Sequence, residues 1–90
     1  MAKREFMTKD VKVTIYGAVW CGPCHGLKNY LKGKKIEYNY IDVDEDRDAG
    51  REIQAKTGWS AIPVTQIGEE YILGFDRERV DQALRHHKLI

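Results

Sequence analysis

The chain has 90 residues, with 15 Lys plus Arg against 14 Asp plus Glu, a net charge of +1 and 42% hydrophobic residues. That length fits one small domain spanning residues 1–90, with a core just large enough to fold alone. The even charge balance argues against a general nucleic-acid binder, and no apolar run is long enough to cross a membrane as a helix.

Residues 1–9 form a short polar lead-in, and its start, Met1-Ala2-Lys3-Arg4-Glu5-Phe6-Met7, has no hydrophobic signal region. Together with only two cysteines, this points to the reducing cytoplasm. Val11-Lys12-Val13-Thr14-Ile15-Tyr16 reads as a buried strand running to Gly17. Gly17-Ala18-Val19 then leads into Trp20-Cys21-Gly22-Pro23-Cys24, which holds both cysteines. Leu27, Tyr30 and Leu31 at helical spacing predict a first helix, with Gly33 expected as its left-handed C-cap residue.

Ile36 to Val43 alternates apolar and polar residues and reads as a half-buried second strand. Asp44, Asp46 and Asp48 offer N-caps for a second helix over Arg47 to Thr57, closed by Gly58. Pro63 to Ile67 and Glu70 to Leu73 read as two strands joined by a two-residue turn, Gly68-Glu69, with glycine first. Asp76 then caps a last helix bearing Val80, Ala83 and Leu84. The order is β-α-β-α-β-β-α. A right-handed crossover makes the first two strands parallel, and the hairpin adds an antiparallel pair. The expected fold is α/β, a four-stranded mixed sheet with three helices on its two faces.

The chemistry concentrates where the first strand turns into the first helix. A thiolate is the nucleophile, and a free cysteine near pKa ~8.5 is mostly protonated at neutral pH. Cys21 lies just ahead of the helix, beside unpaired N–H groups and the positive end of the dipole, which favour the anion. Cys24 stands one turn further on, within reach of a mixed disulfide on Cys21. Pro23 suits the first turn, where its missing N–H has no partner to lose. Cys21 is therefore assigned as the attacking thiol and Cys24 as the resolving thiol. The same spacing also suits half a zinc site completed by His25, His86 or His87, or an iron–sulfur cluster shared between chains; zinc wants four ligands, and one knuckle supplies two. No metal and no bound cofactor is expected.

With these residues the chain resembles the glutaredoxins and small thioredoxins, the minimal thioredoxin fold. Trp20-Cys21-Gly22-Pro23-Cys24, Ile62-Pro63, the hairpin and Gly74-Phe75-Asp76 carry the likeness, which spans Val11 to Leu84. It implies a cis proline at Pro63, packed against the cysteines, with the backbone of Ile62 free to pair with a bound substrate. It implies a thiol–disulfide oxidoreductase whose disulfide-containing substrate docks across Trp20, Gly22, Pro23, Ile62 and Pro63. The pentapeptide resembles thioredoxin, whereas the length and short first strand resemble glutaredoxin. Asp76 matches the acid with which many glutaredoxins hold the glutathione amino group, but Leu73 and Ala61 replace a usual glycine and threonine.

Gly58-Trp59-Ser60-Ala61-Ile62-Pro63-Val64, Gly74-Phe75 and His25 are similar to the small redoxins that deliver electrons to ribonucleotide reductase and draw them from thioredoxin reductase. Thioredoxin stands near −270 mV and glutaredoxins at roughly −200 to −230 mV, a gap of about 2–3 kcal/mol in reducing power. If Gly22-Pro23 sets the potential as in thioredoxin, thioredoxin reductase is a better electron source than glutathione. The protein is expected to be a monomer. Plainer readings accompany the other residues. Trp20 is a groove wall or ordinary core, and Trp59 is packing or a partner contact. His25 is a solvated helix residue or, protonated, a support for the Cys21 thiolate. Tyr16 lines the groove or packs on the sheet, and His86 and His87 complement a helix end. Thioredoxins bury an acid beneath the second cysteine, and Val11 to Gly17 contains none.

Overall fold

A computed structural model describes residues 11–90, so the readings of residues 1–9 lie outside the described residues. The elements are β1 (Val13–Gly17), α1 (Gly22–Gly33), β2 (Asn39–Asp42), α2 (Arg47–Thr57), β3 (Val64–Ile67), β4 (Glu70–Leu73) and α3 (Arg77–His86). The sheet order is β2-β1-β3-β4, with β1 parallel to β2 and the other pairs antiparallel. This is the mixed four-stranded sheet with three helices expected from the sequence.

Alternation along β1 buries Val13 and Ile15 on one face. There they meet Leu27 and Leu31 of α1 and Val80 and Leu84 of α3, the main core. The other face carries Tyr16, Ile41, Gln66 and Tyr71 opposite Ile53 of α2. Helices thus cover both faces, so β1 is central and its C-terminal end delivers the chain to the cysteines from a fixed frame. Thr65 shares the buried face of β3 with Ile67, and its hydroxyl has no partner among the described residues.

Local signals set most boundaries. Asp46 caps α2 by accepting from the Ala49 N–H at 3.0 Å, and Gly58 ends it at φ 71°. Gly68 takes φ 61° in the two-residue turn between Ile67 and Glu70, and Glu69 does not, as a glycine-first hairpin requires.

Several expected boundaries are corrected. Gly33 is the last residue of α1, and the left-handed position falls on Lys35, φ 61°. The reason is apolar. Ile36 must land on Leu31, and its N–H reaches the Leu31 carbonyl at 3.0 Å while Lys35 N–H reaches Lys32 at 2.9 Å. That paired bonding, with a hydrophobic contact across it, fixes the turn two residues later than the glycine. The second strand consequently starts at Asn39, because Ile36 belongs to the helix closure. α3 repeats the device: Lys88 sits at φ 60° and Leu89 N–H bonds the Leu84 carbonyl at 2.8 Å. The first strand is also shorter than expected, beginning at Val13 rather than Val11.

Candidate active site

β1 ends at Gly17, and the chain turns through Ala18, Val19 and Trp20 before α1 begins. Cys21 is the N-cap of α1, with extended backbone, and its Sγ accepts the Cys24 N–H at 3.2 Å. A thiol at this position takes over the capping role that a serine or aspartate oxygen plays elsewhere. Cys21 and Cys24 are joined as a disulfide, with Cα atoms 5.2 Å apart. Cys24 is fully enclosed, whereas Cys21 keeps 4% of its surface. Both sulfur-bearing residues are thus buried in the disulfide form.

A small apolar cluster of Ala18, Tyr40 and Ile62 backs the two sulfurs. Tyr40, on β2, donates its hydroxyl to the Ala18 carbonyl at 3.1 Å, and the Lys28 ammonium lies 4.6 Å from its ring centre. Burial chiefly, and then the nearby Asp42 charge, hold the Tyr40 hydroxyl above its usual pKa. Gly17 lies directly beneath. A Cβ there would come 2.5 Å from the Tyr40 oxygen and 2.9 Å from Cys24 Sγ. Tyr40 thus packs against the dithiol cluster from β2. Sequence reasoning missed it, because a contact made from a neighbouring strand leaves no mark in spacing.

The rim is apolar and exposed. Val19 and Trp20 are each 71% exposed, and Gly22 and Pro23 lie open beside them. Trp20 is held by its indole N–H, which donates to Asp44 at 2.7 Å; Asp44 is itself oriented by its backbone N–H on the Asp42 carboxylate at 2.8 Å. Trp20 is therefore not core. His25 donates Nε2–H to the Val19 carbonyl at 2.6 Å, so it braces this loop.

On the facing side the Ile62–Pro63 peptide is cis. Pro63 is buried and Ile62 half-buried. The Pro63 carbonyl accepts from Gly74 N–H at 2.9 Å, while the Ile62 backbone groups take no partner among the described residues. Beyond Ile62 a cleft of about 300 Å³ runs between α2 and the 59–62 loop, lined by Arg47, Arg51, Gln54 and Trp59. Asp76 is exposed; it caps α3 through the Arg79 N–H at 3.3 Å, and its other oxygen lies 3.8 Å from the Arg79 guanidinium.

Tyr16 bonds Gln66 at 3.1 Å on the α2 face and takes no part in the dithiol cluster. His86 and His87 gather with Glu70 beside the turn after β3, at the end of the sheet away from Pro63. They are not brought to the cysteines, so the zinc reading that joined them to Cys21 and Cys24 is set aside. The order of elements and the capped dithiol agree with the glutaredoxin family, whose model matches residues 13–72.

The chain belongs to the glutaredoxin family. Members of that family are thiol–disulfide oxidoreductases, and this glutaredoxin-like redoxin carries its redox pair as Cys21 and Cys24. It is 31% identical over 88 residues to the N-acetyl-S-hydroxy-L-cysteine reductase of Bacillus subtilis, covering 93% of this chain and 95% of that one. Mycoredoxin 1 of Corynebacterium glutamicum is 44% identical over 53 residues, covering 59% of this chain and 65% of that protein. The NrdH-redoxin of Escherichia coli, a glutaredoxin-like protein with a thioredoxin-like activity profile, superposes with a TM-score of 0.74 at 25% identity, over 79% of this chain and 92% of that one. No helix among the described residues is long and apolar enough to cross a membrane.

Proposed function

We propose that this glutaredoxin-like chain is a single-domain, monomeric, cytoplasmic dithiol redoxin that reduces protein disulfides and is itself reduced by thioredoxin reductase. The observation that carries the reading is the cap of α1. In the reduced protein the Cys21 sulfur sits where the Cys24 N–H and the helix N-terminus favour its anion. The Cys21 thiolate attacks one sulfur of a substrate disulfide, forming a mixed disulfide and releasing the first substrate thiolate, which takes a proton from water. Cys24, once deprotonated, attacks the Cys21 sulfur; the second substrate thiolate leaves and the Cys21–Cys24 disulfide forms. Two electrons pass to the substrate, and a reductase restores the dithiol.

Substrate lies across Trp20, Gly22, Pro23 and Ile62, with the Ile62 backbone pairing in the manner of an added strand and the buried Pro63 shaping that edge. The thioredoxin-like activity profile of the NrdH-redoxin supports thioredoxin reductase as the source, and the resemblance carried by residues 58–64 supports ribonucleotide reductase as one acceptor. The Asp76 geometry favours the same choice, since both carboxylate oxygens already face Arg79. The alternative, a glutathione-dependent glutaredoxin, would need that carboxylate for the glutathione amino group.

The test follows NADPH consumption with thioredoxin reductase and, separately, with glutathione plus glutathione reductase, using a protein disulfide as acceptor. Turnover with thioredoxin reductase, abolished in Cys21→Ser, is expected. Turnover only with glutathione would reverse the choice of donor. Insulin reduction by dithiothreitol unaffected by the chain would instead favour a scaffold or metal-binding module that does not use its thiols. The B. subtilis relative supports a small S-hydroxylated thiol as an additional acceptor to include.

A further inference from the structure

Glu70 opens β4 immediately after the turn, and His86 and His87 close α3, so the hairpin and the helix end meet at one point. His87 Nε2 lies 3.2 Å from Glu70 Oε1, and His86 Nδ1 lies 3.8 Å from the same oxygen. All three donor atoms fall within 4.8 Å of one another. The two imidazoles stack, with ring centres 5.0 Å apart. The His87 ring is seated over Gly68, where a Cβ would come 2.9 Å from Cε1. The His87 side chain is thus mostly covered, 21% exposed.

We propose that Glu70, His86 and His87 form a binding site for a divalent transition metal of the zinc class, separate from the dithiol. Donors bound at about 2.0–2.1 Å in a tetrahedral shell stand roughly 3.3 Å apart. The Glu70–His87 pair already has that separation, and His86 reaches it by turning an exposed side chain. Two imidazoles and one carboxylate, with water in the fourth position, make an open zinc set. The nitrogen donors select zinc, nickel or copper(II) over magnesium and calcium, which take oxygen shells. On binding, His87 gives its Nε2 lone pair to the metal in the tautomer that carries the ring proton on Nδ1, and the Nε2–Glu70 hydrogen bond gives way to a shared metal.

A helix end complemented by two histidines and one acid accounts for the charges without a metal, and the two readings differ in what they bind. Zinc is titrated calorimetrically into the full chain in its oxidised form, where Cys21 and Cys24 are bonded to each other and cannot ligate. Saturable one-to-one binding is expected, weakened at least tenfold in Glu70→Gln and in His86→Ala, with magnesium giving no heat of binding. At a hundredfold excess over the dissociation constant, zinc should raise the melting temperature by on the order of 10 °C, and not in His86→Ala. His86 is 71% exposed, so its variant keeps the fold as a control. Disulfide reductase activity should be unchanged in Glu70→Gln. Absence of saturable binding, equal affinity in both variants, or equal binding of magnesium would overturn the proposal.

Discussion

Replacing Gly17 by alanine tests the packing beneath the dithiol. The backbone there is not left-handed, so alanine meets no conformational penalty and gains roughly 0.5–1 kcal/mol over glycine in a strand. Its Cβ, however, would lie 2.5 Å from the Tyr40 oxygen, 3.0 Å from Tyr40 Cζ and 2.9 Å from Cys24 Sγ. The sulfur is tied to Cys21, so Tyr40 must yield, and it can do so only by giving up its bond to Ala18 and its place against Lys28. Overpacking of this kind costs about 1–3 kcal/mol. Gly17→Ala should therefore destabilise the oxidised protein by about 1–2 kcal/mol. Tyr40→Phe alone loses one hydrogen bond, about 1 kcal/mol.

The double variant decides the cause. Without the hydroxyl, the 2.5 Å contact is gone and the alanine needs only to fit against the ring edge and the sulfur. The double variant should then be about 1 kcal/mol more stable than the sum of the single losses predicts. Urea unfolding of the four proteins, read from midpoints at unchanged m, measures this coupling. Additive losses, agreeing within about 0.5 kcal/mol, would show that the Tyr40 oxygen is not the obstacle and would refute the account of Gly17.

Thr65→Val should stabilise the protein by roughly 1 kcal/mol in urea unfolding, because the buried hydroxyl it removes has no partner; a loss of stability would reveal a bond made in solution. Lys35→Gly and Lys88→Gly should each raise stability by roughly 1 kcal/mol, since both lysines hold a left-handed backbone that glycine adopts freely; unchanged midpoints would contradict this. Asp76→Ala should lower stability by about 1 kcal/mol through loss of the α3 cap, with the thioredoxin-reductase-coupled rate retained; a rate that collapses while stability holds would make Asp76 a substrate contact. Tyr30 is held above its usual pKa of 10.0, first by its hydrogen bond to Asp81 and then by burial. Above about pH 10 the unfolded chain therefore releases this proton more readily than the folded one, and stability should fall as pH rises. Tyr30→Phe should flatten that alkaline decline, and an identical decline in the variant would exclude Tyr30 as its source.

What sequence revealed was whatever one segment decides alone. Asp46 and Gly58 bracket α2 because a cap and a left-handed stop act within a turn, and Gly68-Glu69 closes the hairpin for the same reason. Cys21 as the α1 cap followed from its place between strand and helix. Gly33 misled because an apolar contact, Ile36 on Leu31, outweighed the glycine's freedom and moved the closure downstream. The site partners Tyr40 and Asp44 were invisible for a different reason. Each comes from more than twenty residues away, and only the parallel pairing of β1 with β2, Ile15 opposite Tyr40 and Gly17 opposite Asp42, brings them to the motif.

That pairing also explains how an apolar rim stays open above a sealed dithiol. Left to the hydrophobic effect, Val19 and Trp20 would fold down over Cys21. Three hydrogen bonds oppose this. Asp44 holds the indole from beyond the end of β2, His25 holds the Val19 carbonyl from the first turn of α1, and Tyr40 holds the Ala18 carbonyl from below. Each residue of the 18–20 loop is thus tied to a different neighbouring segment. Because Val43 N–H bonds the Gly17 carbonyl at 2.9 Å, the segment bearing Asp44 is itself clamped to the strand that carries the loop. The loop is consequently positioned by hydrogen bonds around its edge, which leaves its apolar side chains unspent for a partner.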